Sequence, residues 1–416
     1  MSNSAGATTA PNSQAARAGR PRRRRWTFRL LALSLSLLLA FGLTEAFFRV
    51  LEWQARRQYA YEGRGGQWLP DARWGWRPSP GPFRETTSEF SVVGNISDLF
   101  MNDRPILPAD SKRTRILALG DSHTYAVGAS WNETWPFQLE EMLNNSKPAE
   151  SPERFRVYNA GCIGYSLHQY LHRLIDQGPL VKPHYVIVGV SFATDLFDLL
   201  PPDHGGWAYG EGLERDYFDF DAQGTLVSKH WKPTAAGATA SAASQAAGLR
   251  QFLGNFATFR YLRRSKLALW VGSKVRIGGQ SLWPNMEVVV EKVISPEHEY
   301  AWKLAYALLL RMRDEAKKQG AELIVLGIPY LPQVYDDVWQ VTFASNPNYD
   351  RDAGPKRLAA WCMQNQIRYV ESCDLLRERS KAAGRWLHYA LDAHPTPEGQ
   401  KVLAETLYTS HAFKPH

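Results

Sequence analysis

The chain has 416 residues, of which 44% are apolar, and this is enough for one large α/β domain with additions or for two ordinary domains. Its formal net charge of +8 raises the question of a nucleic-acid partner, but seven arginines precede the first acidic residue, Glu45, and without them the remainder carries about +1. The basicity belongs to an N-terminal tail, so we predict no nucleic-acid partner.

The N-terminal segment predicts a membrane anchor. Residues 1–26 are rich in Ser, Ala and Arg, and we expect a disordered cytoplasmic tail. The uncharged stretch Leu30–Thr44 would span only about 22 Å as a helix, but the next residues are still largely apolar, and Arg29 and Arg49 can snorkel from the two ends. We therefore predict a signal-anchor helix over 27–50. A cleaved signal peptide is the alternative, but no A-x-A site follows.

The arginines also predict an orientation. The positive-inside rule places them in the cytoplasm and everything after about residue 50 outside it, in the periplasm or the extracellular space. Residues 51–112 are rich in Trp, Gly and Pro and are interpreted as a juxtamembrane stalk or small cap without recognisable chemistry. We predict one catalytic domain over 113–412.

That domain alternates short β-branched runs with amphipathic helices. Helices are predicted between the strands, and the last one is capped by Thr396 with Pro397 in its first turn. This alternation predicts an α/β fold, a parallel sheet covered on both faces, with the doubly wound flavodoxin-like order as the expected topology. The predicted strands are 115–120, 156–161, 184–190, 322–329 and 367–372.

An insertion at about 201–300 interrupts this pattern. It contains an Ala/Ser/Gly run at 234–248 that is typical of a linker or mobile loop. Because it follows the third strand, it can overhang the carboxyl ends of the strands, where ligands bind in open sheets. We expect it to select the substrate.

Cysteine usage excludes a disulfide framework, since Cys162, Cys362 and Cys373 can form one pair at most. Cys162 lies in a glycine loop, where a reactive thiol is conceivable, but a small packed residue is the simpler interpretation.

The chemistry of the chain is concentrated in two segments. The first strand ends in Gly120-Asp121-Ser122, which brings a serine hydroxyl to the strand edge where loops converge, and the G-x-S-x-G elbow of α/β-hydrolases is absent there. A serine needs a base, because its free hydroxyl is a poor nucleophile near neutral pH. His394 lies just before the last helix, and Asp392 can accept its other N–H and hold the tautomer.

These segments resemble a known family. GDSHT, NAGCIGYS, VIVGVSFATD and DAHPTPEG follow the order of the four conserved blocks of the SGNH (GDSL-like) hydrolases, and the resemblance covers about 115–200 and 320–410. It implies a three-layer α/β/α fold and a serine esterase that needs no cofactor and no metal. In that family the serine matching Ser122 is the nucleophile, and the last-block pair matching Asp392 and His394 orients and deprotonates it.

The resemblance also implies an oxyanion hole, with two departures from the family pattern. In the family, a glycine of the second block donates its backbone N–H to the oxyanion, and this glycine matches Gly164. The backbone N–H of Ser122 is expected to be another donor. The third block usually reads N-D, but here Thr194 precedes Asp195, and we expect the Thr194 hydroxyl to be the third donor. The last block is D-x-H instead of D-x-x-H, which the aspartate can accommodate from a different turn.

Neighbouring polar residues have two interpretations each. Asp195 is more simply a turn cap than a catalytic group. His123 either orients substrate or is a capping histidine. His168, His184 and His204 show no metal-ligand spacing and are interpreted as structural.

Three functions are compatible with these residues. The first is an extracytoplasmic esterase that acts on an ester-bearing small molecule, lipid or envelope glycan. The second is an O-acyltransferase that uses the same triad to modify an envelope polysaccharide. The third is a binding or scaffold domain that keeps the pocket without turnover.

Overall fold

The fold is described from a computed structural model of the chain. It describes residues 22–105, 107–145, 154–199, 213–232, 256, 258, 276–277, 280–281, 287–390 and 392–414. Residues 1–21 of the predicted disordered tail (1–26), the Ala/Ser/Gly run at 234–248 and His204 lie outside the described residues. Residues 22–26 of that tail are helical, which differs from the prediction.

The first element is a long N-terminal helix, α1 (Arg22–Gln58). Its part Phe28–Leu51 is long and apolar enough to cross a membrane, and none of its most apolar window is buried in the protein. Leu30, Leu35 and Leu38 each keep more than half of their surface exposed. A helix packed into the core would have refuted the predicted anchor, and this helix is not packed there.

A small β-rich segment follows α1. Its strands are β1 (Ala60–Gly63), β2 (Trp68–Asp71), β3 (Gly75–Pro78), β4 (Gly81–Thr86) and β5 (Ser91–Ile96). Strands β1, β4 and β5 form an antiparallel sheet, and β2 pairs with β3 as a hairpin. Trp76 of β3 is almost fully buried, and its indole N–H donates to the carbonyl of Ile163, 3.0 Å away. The segment interpreted from sequence as a stalk or cap therefore packs on a loop of the α/β domain. A 3₁₀ turn at Pro108–Lys112 comes after β5.

The α/β domain follows the predicted alternation of strands and helices. Its first half contains β6 (Thr114–Gly120), α2 (Ser122–Tyr125), a 3₁₀ turn (Trp131–Glu133), α3 (Trp135–Asn145), β7 (Phe155–Gly161), α4 (Leu167–Val181) and β8 (Tyr185–Ser191). The described part of the insertion holds β9 (Arg215–Phe220), β10 (Leu226–Trp231), β11 (Arg276–Ile277), β12 (Gln280–Ser281) and α5 (Glu287–Val290). The second half contains α6 (Pro296–Lys318), β13 (Glu322–Ile328), α7 (Leu331–Val334), α8 (Asp336–Thr342), α9 (Ala353–Gln364), β14 (Arg368–Glu371), α10 (Cys373–Ala383) and α11 (Pro397–Thr409).

The central sheet confirms the predicted topology. Its five strands are all parallel, in the order β14-β13-β8-β6-β7. Counted along the chain, this is the 2-1-3-4-5 order of flavodoxin-like sheets. The register pairs Leu119 of β6 with Ala160 of β7 and with Val188 of β8, so the three strands end near the same edge.

Both faces of the sheet are buried along its central strands, which explains why β6, β8 and β13 are mostly apolar. Alternate residues of β6 point to opposite sides: Leu117 and Leu119 pack in one core, Ile116 and Ala118 in the other. The first core includes residues of α4, α6 and α9, and the second includes residues of α3 and α11. This arrangement is the three-layer α/β/α architecture that the resemblance implies.

Candidate active site

Ser122 is presented by a tight turn at the carboxyl end of β6. Asp121 caps α2 by accepting the N–H of His123, and Ser122 is the first residue of that helix. A Cβ on Gly120 would lie 2.0 Å from the Thr124 hydroxyl oxygen, so the helix can turn back over the strand only because this residue is glycine. Ser122 keeps 9% of its surface exposed, at the rim of the sheet.

His394 reaches Ser122 from the loop before α11. Its Nε2 lies 2.7 Å from the Ser122 Oγ, and its Nδ1 lies 2.5 Å from the Asp392 Oδ1. Ala393 between them adopts a left-handed conformation with φ of 71°, which turns the chain tightly enough for Asp392 to reach back. This turn is the physical basis of the D-x-H spacing.

The β-rich segment supports this pair from behind. The Asp392 backbone N–H donates to Glu89, 2.8 Å away, and the Tyr389 hydroxyl donates to the Gly128 carbonyl at 2.7 Å. Burial, and then the nearby charge of Asp392, raise the pKa of the Glu85 carboxyl on β4. The loop carrying His394 is therefore tied to two other parts of the fold.

Asp121 is a buried hydrogen-bond acceptor beneath the serine. It accepts the His123 N–H at 2.8 Å, lies 3.1 Å from the His123 Nδ1, and accepts the Thr194 hydroxyl at 3.0 Å. Burial raises the pKa of Asp121, but its interactions with His123 outweigh burial, so this pKa lies below its ordinary value. The carboxylate is therefore ionised near neutral pH.

The position of Thr194 departs from the expectation that it donates to an oxyanion. A hydroxyl has one proton, and that of Thr194 is donated to Asp121. In this arrangement the Thr194 side chain holds Asp121 and has no proton left for a substrate oxygen. The residue type alone could not reveal this, because the same side chain serves either role depending on its rotamer.

Gly164 lies in a loop that is joined to the end of β6. The Cys162 N–H donates to the Gly120 carbonyl at 3.0 Å, and Gly164 itself has a φ of 74°. Within the part of the chain that the structure describes, the backbone N–H groups of Ser122 and Gly164 have no protein acceptor. Both are donors that an incoming oxygen can use.

Asp195 has the contacts of a turn cap. Its carboxyl accepts the Ser191 N–H at 2.8 Å and the Tyr170 hydroxyl at 2.7 Å. Burial, and then the charge of Asp121, raise the pKa of Asp195 well above its ordinary value. These contacts favour the capping interpretation over a catalytic one.

The described cysteines are all free and buried. Burial raises the pKa of the Cys162 thiol to about 12, which keeps it protonated and disfavours a reactive role. Among the described residues, no group of three His, Cys, Asp or Glu side chains is arranged to hold a metal ion.

Sequence reasoning missed the contributions of Trp76, Glu89 and Asp121. Trp76 and Glu89 lie in the segment 51–112, in which the sequence shows no recognisable chemistry, and each makes a hydrogen bond to a loop near the site. The indole-rich composition of that segment was the available signal, since a buried tryptophan needs an acceptor for its N–H. Asp121 belongs to the GDS tripeptide, and the sequence does not indicate its contacts with His123 and Thr194.

Comparisons with known proteins give similarities among solved structures only. No family model matches the chain, and neither does any curated protein. TesA is 16% identical, with 72% of this chain and 98% of that chain covered and a TM-score of 0.35. LAE5, an alpha/beta hydrolase enzyme from the metagenome of Lake Arreo, is 11% identical, with 71% and 94% covered and a TM-score of 0.36. A catalytic mutant of Axe2, an acetylxylan esterase from Geobacillus stearothermophilus, is 13% identical, with 72% and 95% covered and a TM-score of 0.35.

Proposed function

We propose that this protein is a serine hydrolase that cleaves ester bonds through an acyl-enzyme on Ser122. The observation that supports this most directly is the continuous chain of contacts from the Ser122 Oγ to His394 at 2.7 Å and from His394 to Asp392 at 2.5 Å. In this chain Nδ1 donates to the carboxylate, so Nε2 is free to accept the serine proton.

In the acylation step, the Ser122 oxygen attacks the ester carbonyl while its proton moves to the Nε2 of His394. The carbonyl oxygen becomes an oxyanion, which the backbone N–H groups of Ser122 and Gly164 are proposed to bind. The intermediate then collapses: the bond to the alcohol oxygen breaks, and that oxygen takes the proton from His394. The acyl group remains on Ser122, and Asp392 stabilises the imidazolium between the two proton transfers.

In the deacylation step, a hydroxyl group attacks the acyl-enzyme with His394 as base. If the hydroxyl belongs to water, the products are a free acid and the resting enzyme. If it belongs to a sugar, the acyl group is transferred and the protein is an O-acyltransferase. Incubation with an acyl donor and a polysaccharide separates these outcomes, because hydrolysis releases acid and transfer accumulates acylated polymer.

The proposed location is the outer side of a membrane, with an envelope glycan or lipid as substrate. The exposed apolar surface of α1 and the arginines before it support this proposal. Protease treatment of intact cells and of opened vesicles tests it. The domain should be cleaved only from the extracytoplasmic side, and cleavage only from the cytoplasmic side would refute the orientation.

A fluorophosphonate probe tests the nucleophile. The full chain in detergent should react with the probe, Ser122→Ala should abolish labelling, and His394→Gln should slow it strongly. Labelling that survives Ser122→Ala would place the reactive group elsewhere. A folded wild-type protein that does not react would favour the non-catalytic scaffold.

A further inference from the structure

His123 lies beside the proposed nucleophile, yet the Ser122, His394 and Asp392 chemistry does not use it. The ring is nearly buried, with 5% of the side chain exposed, and its centroid is 5.0 Å from that of His394. It therefore borders the same space as the base. A merely capping histidine would need only its backbone N–H, which Asp121 already accepts.

The two nitrogens of the His123 ring differ in their hydrogen-bond contacts. Nδ1 lies 3.1 Å from Asp121 and 3.4 Å from the Ser191 hydroxyl. In the part of the chain that the structure describes, Nε2 has no hydrogen-bond partner. It is also not one of the fully buried polar atoms that lack a partner, so Nε2 is accessible.

The contact between Asp121 and Nδ1 decides whether Nε2 can accept a hydrogen bond. An ionised carboxylate can only accept, so Nδ1 carries the proton in the neutral ring, and Nε2 presents a lone pair. The Nε2 of the neutral ring is therefore a hydrogen-bond acceptor.

The position of His123 indicates which part of the substrate it contacts. His394 must return its proton to the alcohol oxygen, so the alcohol portion of the ester lies next to the His394 ring. The group beside that ring then faces the alcohol portion rather than the acyl chain. An acceptor at this place fits an alcohol that carries a second hydroxyl close to the ester.

We propose that His123 is a substrate-binding residue whose Nε2 accepts a hydroxyl adjacent to the ester oxygen, which makes the substrate class the monoester of a polyol or sugar. This inference rests on the proposed ester hydrolysis at Ser122 and specifies the alcohol that the same site accepts. It assigns selectivity to a residue of α2 in addition to any contribution of the insertion.

The test compares two esters that differ by one hydroxyl, trans-2-hydroxycyclohexyl acetate and cyclohexyl acetate. The readout is the ratio of their kcat/KM values, each corrected for hydroxide hydrolysis of the same ester. For the full chain in detergent, this ratio should favour the hydroxy ester by about fivefold or more, the effect of one hydrogen bond. His123→Phe should bring the ratio close to one, and His123→Gln should retain part of the preference because its amide oxygen can accept.

Two further variants complete the design. His123→Asn keeps a group near Asp121 but has no atom at the Nε2 position, so it should also lose the preference and replaces the Phe variant if that protein does not fold. His411→Gln changes an exposed histidine beyond α11 and should keep the wild-type ratio. Monoacetylglycerol and a monoacetylated methyl glycoside then show whether the hydroxyl belongs to a glycerol or a sugar ring, and a preference for either supports the proposal.

The outcomes separate the two levels of inference. A wild-type protein that is labelled by fluorophosphonate but shows no preference between the two esters would overturn the role of His123 alone. The same holds if His123→Phe and His123→Asn slow both esters equally, since a structural or oxyanion-binding role predicts that result. A wild-type protein that is neither labelled nor active on either ester would overturn the proposed function, and this inference with it.

Discussion

Thr194→Val separates two roles of one hydroxyl. The substitution keeps the shape of the side chain and deletes the proton that is now donated to Asp121 at 3.0 Å. A hydrogen bond to a charged group contributes about 1.5–3 kcal/mol, and Asp121 is buried, so its loss should lower stability by about that amount. For a domain of about 300 residues that corresponds to a Tm decrease of roughly 2–5 °C. An oxyanion donor would behave differently: its loss costs about 10²–10³ in turnover with little change in stability.

We therefore expect Thr194→Val to lower the Tm clearly and to slow fluorophosphonate labelling of Ser122 by less than about tenfold. Thr124→Val is the matched control, since Thr124 is also buried near the site but its hydroxyl has no hydrogen-bond partner within the described residues. This control should change the Tm much less. A hundredfold loss of labelling at an unchanged Tm would refute our assignment of the Thr194 hydroxyl and restore it as an oxyanion donor.

Three further predictions concern the triad, the turn before it and the response to acid. Asp392→Asn should reduce esterase kcat by at least about 10²-fold without a large change in substrate KM. Replacement of a fully buried triad aspartate by asparagine reduces kcat by roughly 10⁴-fold, which is the upper end of the expected effect. Gly120→Ala forces a Cβ to 2.0 Å from the Thr124 hydroxyl, so both the Tm and the rate of probe labelling should fall, whereas a wild-type Tm would contradict the packing described. Burial lowers the pKa of His172 from 6.5 to about 3. As the pH falls from 6.5 towards 3, the unfolded chain binds a proton at this histidine while the folded protein does not, so the folded state loses stability over this range. His172→Phe should therefore show a smaller Tm decrease than wild type between pH 7 and pH 5, measured by thermal unfolding.

The parts of the fold that were predictable from sequence are those with continuous local patterns. The central strands β6, β8 and β13 are buried on both faces and therefore appear as short apolar runs, and the structure has a strand at each of the five predicted places. The last helix was equally predictable, since Thr396 accepts the Gly399 N–H and Pro397 occupies the first turn. These features depend on neighbours in the chain, so composition and spacing suffice.

The contacts around the site depend on conformations that residue types do not specify. The left-handed turn at Ala393 is unusual for a residue with a Cβ, and no glycine marks it in the sequence. The Trp76 contact with Ile163 joins residues 87 positions apart, from a segment of short strands without a clear period. Whether Thr194 faces Asp121 or the substrate is a choice of rotamer. Each of these requires the assembled fold.

The most direct test of the account is the detection of an acyl group on Ser122. The detergent-solubilised full chain is mixed with p-nitrophenyl acetate, quenched in acid within the first turnovers, digested and analysed by mass spectrometry. We predict that the peptide containing Ser122 gains the mass of one acetyl group, and that the gain is absent in Ser122→Ala. Release of p-nitrophenol by wild type without any acetylated Ser122 peptide, or with the acetyl group on another residue, would contradict the central claim.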